Sequence, residues 1–163
     1  MPGRLIALAF GTALVAGTSA CSATGLDFRA DGRLTITTPA DRSGVTVPVP
    51  VAWTLSDPRP SEESFVVLVD VSPPRPGTPI TDLLPEDQRN PEACDAECQT
   101  AALAARGVLL TAADEVIIPA LPRPSGMSDE QSRRHRITVI VLDAEGRRSG
   151  ELSDSVDVDE VFK

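Results

Sequence analysis

Apolar and polar residues alternate through most of the chain beyond residue 33, and the alternation has the period of a strand. Leu34-Thr35-Ile36-Thr37-Thr38 is a brief run of this kind, ended by Pro39. Residues 45–55 hold the pattern longest: Val45, Val47, Val49, Val51, Trp53 and Leu55 share one face, and Thr46, Pro48, Pro50, Ala52 and Thr54 share the other. A strand with one wet face is expected there. Pro48 and Pro50 cannot donate ladder hydrogen bonds, which puts at least that half of the strand at a sheet edge or a bulge. Phe65, Val67, Val69 and Val71 alternate in turn against Val66, Leu68 and Asp70, until the Pro/Gly-rich stretch at 73–79 stops the run.

The pattern changes at Asn90. Asn90-Pro91-Glu92 reads as an N-cap, a first-turn proline and a first-turn acid, and Gly107 sits where a left-handed C-terminal cap belongs. The Ala-rich stretch between them, about 90–107, is the one convincing helix. It contains Cys94 and Cys98, a separation that regular helix geometry does not readily bridge, so either the first turn is distorted or the helix starts after Cys98. Val108–Thr111 and Val116–Leu121 are then apolar enough for strands, broken at Ala112-Ala113-Asp114, and a polar, aperiodic loop follows from Pro122 to Arg134. Arg136–Leu142 is a β-branched run, Asp143-Ala144-Glu145-Gly146 a turn, and Val156 with Val158 marks a last strand. Several short strands, turn signals between them and a single helix predict an all-β sandwich. Each buried Val or Leu side chain stabilises such a fold by about 1.5–3 kcal/mol, and the strands offer enough of them to build a core.

The segment HRITVIVLDAEGRRS, from His135 to Ser149, resembles the final hairpin of fibronectin type III and related immunoglobulin-like domains. The resemblance gives His135 the place of an aromatic, usually Tyr, that opens the penultimate strand. Ile137, Val139 and Val141 then face the core, and Asp143 with Gly146 makes the turn. Trp53 stands where the second strand carries its core Trp, and Phe65 matches the aromatic that opens the third strand. An immunoglobulin/fibronectin type III-like sandwich over residues 33–163, with a helical insertion at about 90–107, is what the resemblance implies.

Met1 to Cys21 carries the sharpest signal. Arg4 precedes an apolar run from Leu5 to Gly17, then Thr18-Ser19-Ala20, then the first cysteine. This resembles a bacterial lipoprotein signal peptide ending in a lipobox, so residues 1–20 are expected to be removed and Cys21 to be lipidated. The same small residues satisfy ordinary secretory cleavage, which would instead leave a free thiol at the new N-terminus. The apolar run is shorter than the ~20 residues of a membrane-spanning helix, and two or three acyl chains on Cys21 would hold the protein at a membrane surface. By resemblance to Gram-negative lipoproteins, Ser22 would permit outer-membrane sorting. Residues 21–32, small and polar after Cys21, suit a flexible tether.

Charge and cysteine use agree with export. The formal net charge is −9, and one more negative once Arg4 leaves with the signal. That balance opposes nucleic-acid binding, because only Arg133, Arg134 and Arg136, and Arg147 with Arg148, hint at a basic patch. With Cys21 committed to lipid, Cys94 and Cys98 remain to pair with each other in an oxidising compartment. Their C-x3-C spacing is not the C-x-x-C of thioredoxin-like redox chemistry, and no second Cys/His pair completes a zinc site.

Catalytic patterns are sparse. The single histidine, His135, faces inward by strand phase and reads as a core or corner residue. There is no G-x-S-x-G elbow, H-E-x-x-H pair or phosphate-cradling glycine loop. Asp154, Asp157 and Asp159, with Glu160, could gather at a strand end around calcium, but Asp157 and Asp159 opposite Val156 and Val158 more simply form a solvated or edge-protecting row. No cofactor is implied. The expected function is an envelope-anchored lipoprotein whose non-enzymatic module contacts another protein. The 73–79 loop, the cysteine insertion and the loop from Pro122 to Arg134 are the expected recognition elements. The alternative is a small hydrolase or metal-dependent enzyme that uses carboxylates and His135.

Overall fold

Among the described residues the alternating runs become eight strands in two sheets. The computed structural model describes residues 32–56, 64–123 and 133–162. The signal stretch 1–20, Cys21 and nearly all of the expected tether lie outside the described residues, as does the centre of the loop after Pro122. The strands are β1 (Leu34–Thr38), β2 (Ser43–Val45), β3 (Val49–Leu55), β4 (Ser64–Val69), β5 (Val108–Thr111), β6 (Glu115–Ile118), β7 (Arg134–Leu142) and β8 (Arg148–Glu160). A three-stranded sheet has the order β1-β3-β6, and a five-stranded sheet has the order β2-β8-β7-β4-β5. The pairings are antiparallel except β2 with β8, which is parallel. Among the described residues, no helix is long and apolar enough to cross a membrane.

The long alternating run at 45–55 is not one strand. It divides between the sheets: Val45 ends β2 beside Glu160, while Val49 opens β3 opposite Ile118. Pro48 has no N–H to continue a ladder and restricts Val47 before it, so the chain leaves one sheet there and enters the other. Pro50 lies inside the middle strand of the three-stranded sheet, opposite Ile117. The Trp53 N–H donates to the Asp114 carbonyl at 3.1 Å, so alternate residues Trp53, Val51 and Val49 face β6 and Pro50 faces the β1 side. On that side β1 has already ended, its last partner being Thr38 against Ala52. Pro50 is thus tolerated in a central strand because its missing donor would have met no acceptor.

Between the sheets lies a core of Val49, Val51 and Trp53 from β3, Phe65, Val67 and Val69 from β4, and Ile137, Val139 and Val141 from β7. Trp53 and Phe65 meet edge to face, ring centroids 5.1 Å apart, an arrangement worth about 0.5–1.5 kcal/mol beyond the area buried. β4 is buried on both faces. Its other side chains, Val66 and Leu68, join Ile140, Leu142 and Val108 in a second core roofed by Ile80, Leu84 and Leu103. The chain between β4 and β5 therefore forms a third layer, and it is larger than the single helix expected from the sequence. It contains a 3-10 turn at Ile80–Leu83, a short helix α1 (Glu86–Arg89) and the longer helix α2 (Ala96–Ala104).

α2 starts between the two cysteines. Asn90 does not cap it; the Asn90 side chain instead accepts the N–H of Glu92 at 3.0 Å in a local turn. Asp95 is the cap, its carboxylate accepting the Cys98 N–H at 2.9 Å. Cys94 precedes the cap and Cys98 sits in the first turn. Their disulfide, with Cα atoms 5.2 Å apart, therefore spans a helix entry rather than a helical turn. Gly107, two residues past the C-cap Ala105, has φ +80°, and a Cβ there would stand 2.8 Å from the Val69 carbonyl oxygen. Both its dihedral and the approach of β4 require glycine.

Strand bounds also move: the run expected to reach Val71 stops at Val69, where Asp70 turns left-handed. The run expected from Val116 to Leu121 pairs only from Glu115 to Ile118, because Pro119 ends the ladder. The last strand is far longer than Val156 and Val158 suggested, although the register with β7 slips between Ile140 and Leu142.

Candidate functional site

β7 carries two kinds of outward side chain. Ile140 and Leu142 lie under the third layer, whereas Arg136 and Thr138 face a groove of about 880 Å³ on the uncovered half of the five-stranded sheet. Residues Asp70 to Pro73 and Arg42 wall this groove, and Ser155, Asp157 and Asp159 of β8 complete its floor.

The groove's charges are engaged with one another. Asp157 receives two bonds from the Arg136 guanidinium, at 2.8 and 3.2 Å. Hydrogen bonding from Arg136 holds the Asp157 carboxyl below the usual carboxylate range, against a smaller opposing effect of desolvation. The same bond raises Arg136 above its already high ordinary value. Arg134 lies 3.8 Å from Asp159, and Arg42 lies 3.6 Å from Asp41. Thr138 and Ser155 share a hydroxyl–hydroxyl bond of 2.8 Å.

At one end of the groove, Asp70 and His135 make a corner. Asp70 follows the last residue of β4 in the left-handed region, φ +58°, a conformation Asp tolerates better than most residues. Its N–H donates to the Arg136 carbonyl at 2.9 Å, and one carboxylate oxygen accepts the Arg136 N–H at 2.8 Å. The other oxygen lies 2.7 Å from His135 Nδ1. His135 thus faces inward, as its strand phase suggested, with its ring tied to a carboxylate. The ring is shut away: its side chain is 1 % exposed, and Nε2 is buried with no hydrogen-bond partner among the described residues.

This geometry limits the chemistry. A histidine base oriented through Nδ1 must present Nε2 to its substrate, and here Nε2 is sealed from the groove. The hydroxyls of Thr138 and Ser155 bond each other.

The three aspartates considered for calcium are dispersed. Asp157 and Asp159 pair with arginines of β7, while Asp154 accepts the backbone N–H of Ile36 at 2.7 Å on a different strand. Among the described residues, no group of three His, Cys, Asp or Glu side chains is placed to hold a metal ion. Nor do Asp157 and Asp159 protect an edge, since β8 lies between β2 and β7; they form a solvated row on an inner strand.

The expected recognition loops fare unequally. The 73–79 stretch is tied down, with the buried Arg148 guanidinium donating to the Pro74 carbonyl at 2.7 Å and Gly77 N–H to the Arg148 carbonyl at 2.8 Å. The cysteine insertion roofs the second core. Only the ends of the loop after Pro122 fall within the described residues, and there Arg123 reaches the buried Glu160 at 3.1 Å.

Sequence reasoning singled out His135 but missed Asp70, which lies 65 positions away and is brought to it by the β4–β7 pairing. A signal was present: an acid near the end of an alternating run, two residues before Ser72-Pro73-Pro74, is a residue suited to a left-handed corner. No protein-family model matches the chain, and no curated protein sequence matches it.

Proposed function

We propose that the chain is an envelope-anchored bacterial lipoprotein, tethered through Cys21, whose immunoglobulin/fibronectin type III-like domain is a non-enzymatic module that contacts another protein. The observation that carries the non-enzymatic reading is the sealed Nε2 of His135 beside a groove whose acids and arginines neutralise each other. The hydrolase alternative draws on the 2.7 Å contact between Asp70 and His135. That contact serves the corner between β4 and β7 and offers the groove no base.

Strand order supports the fold reading. Setting β1, β3 and β6 as the first, second and fifth strands of an immunoglobulin-like sandwich, and β4, β7 and β8 as the opposing third, sixth and seventh, reproduces its division between sheets. β5 would then extend the second sheet as an added strand, and the contact between Trp53 and Phe65 in the inter-sheet core is in keeping with the core positions that the resemblance gives them.

Intact-mass analysis of protein purified from the envelope, together with crosslinking in the intact envelope, tests the proposal. The expected result is a chain beginning at an acylated Cys21 with a reproducible protein neighbour. An unprocessed or unacylated N-terminus overturns the anchor. Turnover of ester or peptide substrates that is lost in His135→Gln, with folding retained, overturns the non-enzymatic reading.

A further inference from the structure

The two edges of the three-stranded sheet are finished differently. At β1 the outward N–H of Ile36 is taken by the Asp154 carboxylate. No such device closes β6 among the described residues. The bond from Trp53 to Asp114 sets the phase of the β3–β6 ladder, so Val116 and Ile118 bond inward to β3 while Glu115 and Ile117 turn their N–H and C=O groups away from the sheet. Among the described residues no other strand pairs with β6. Ile117 is also the most exposed of the large hydrophobic side chains, at 66 %, and its cross-strand neighbour is the exposed Pro50.

A row of outward backbone donors and acceptors is matched by one kind of ligand, another extended backbone. The side chains narrow the choice. Ile117 favours an apolar residue opposite, and Glu115, next to Asp114 in a chain of net charge −9, favours a cation. We propose that the β6 edge accepts an extended protein segment, antiparallel to Glu115–Ile118, with an apolar residue opposite Ile117 and a Lys or Arg opposite Glu115. The proposal rests on the reading of the domain as a protein-binding module and assigns that binding to a surface. A second copy of the chain fits poorly. A two-fold axis at Ile117 sets Glu115 against Pro119, which has no N–H, and an axis at Val116 sets Glu115 against the apolar Ile117 of the other copy. Either also brings two acidic chains together.

The test uses the full chain in detergent and an acetylated, amidated Thr-Val-Thr-Lys-Thr peptide as probe, with amide hydrogen exchange read residue by residue. At a peptide concentration about ten times its Kd, exchange at Glu115 and Ile117 is expected to slow about tenfold. Methylating the peptide's Val nitrogen should abolish the effect, because that N–H is the donor to Ile117. Glu115→Lys should weaken binding of this peptide and favour one carrying Glu in place of Lys, and Ile117→Thr should weaken both while keeping a good strand former. No slowing at millimolar peptide, or equal slowing by the methylated peptide, overturns the proposal. Slowing that follows protein concentration without peptide overturns it in favour of self-association. Loss of the anchor or of an envelope neighbour would leave a positive peptide result standing, whereas a negative peptide result would leave the anchored-module reading intact but without this surface.

Discussion

The two halves of the outer face of the five-stranded sheet are built on the same strands and solve burial in opposite ways. Along β7 the outward positions read Arg134, Arg136, Thr138, Ile140, Leu142. The first three border a wet groove floored by Ser155 and Asp157, and the last two lie under Leu84 and Leu103. The change of residue type midway along one strand marks where the third layer begins. It teaches that the insertion between β4 and β5 is part of the hydrophobic core, while the open half is held by interactions that water can replace.

The inter-sheet core sets the largest expected effect. Phe65→Ala removes a fully buried ring that packs on Trp53, and should cost about 3–5 kcal/mol, read as a lower denaturant midpoint for the whole domain. Leu103→Ala, in the roof of the second core, should cost about 2–3 kcal/mol, toward the low end for such changes, because a helix on the surface can settle into the space. Hydrogen exchange separates the two layers. Leu103→Ala should speed exchange in α2 and β5 and leave β1, β3 and β6 protected. Uniform acceleration across both sheets would mean that the third layer and the sandwich form one cooperative unit, and the distinction drawn here would fail.

How much of this was legible in the chain depends on the range of the interaction that decides it. Period-two alternation located most of the strands, and Asp143 with Gly146 located the turn, where the Asp143 side chain accepts the N–H groups of Glu145 and Arg147. These are decided by neighbours. Alternation at residues 45–55 hid a change of sheet, because inward-facing valines suit either sheet and only the ladder partner distinguishes them. Asn90-Pro91 imitated a helix start, but Asp95 supplied the better-placed cap. The polar stretch from Ser149 to Ser155 concealed most of β8, since strands on a wet face need no apolar residue of their own. The third layer was half legible: Val66 and Leu68 break the alternation of β4, and Ile140 and Leu142 that of β7, which is the mark of a strand buried on both faces.

Asp70 stands at the border between the open groove and the core. Asp70→Ala leaves the buried Nδ1 of His135 without its acceptor and should cost about 1–3 kcal/mol. Asp70→Asn keeps an amide oxygen for Nδ1 and tolerates the left-handed backbone but turns its NH2 toward the Arg136 N–H, so it should recover only part of the loss. Equal losses in the two variants, measured by denaturant unfolding, would show that an acceptor for Nδ1 alone does not hold the corner.

The smallest effect belongs to the open half itself. Asp157→Asn removes the partner of Arg136 from a solvent-exposed pair, which bounds the cost at about 1 kcal/mol or less. Its pH dependence has a definite sign. The Asp157 carboxyl lies below its ordinary range in the folded protein, so the stability it contributes is present above the unfolded carboxyl value, about 3.9, and is lost as pH falls through the lower folded value. Wild type should therefore exceed Asp157→Asn at neutral pH by a small margin that closes in strong acid and shrinks in high salt. A margin unchanged by acid and salt would place the contribution in packing or backbone geometry, and the groove would then be as rigidly built as the covered half of the sheet.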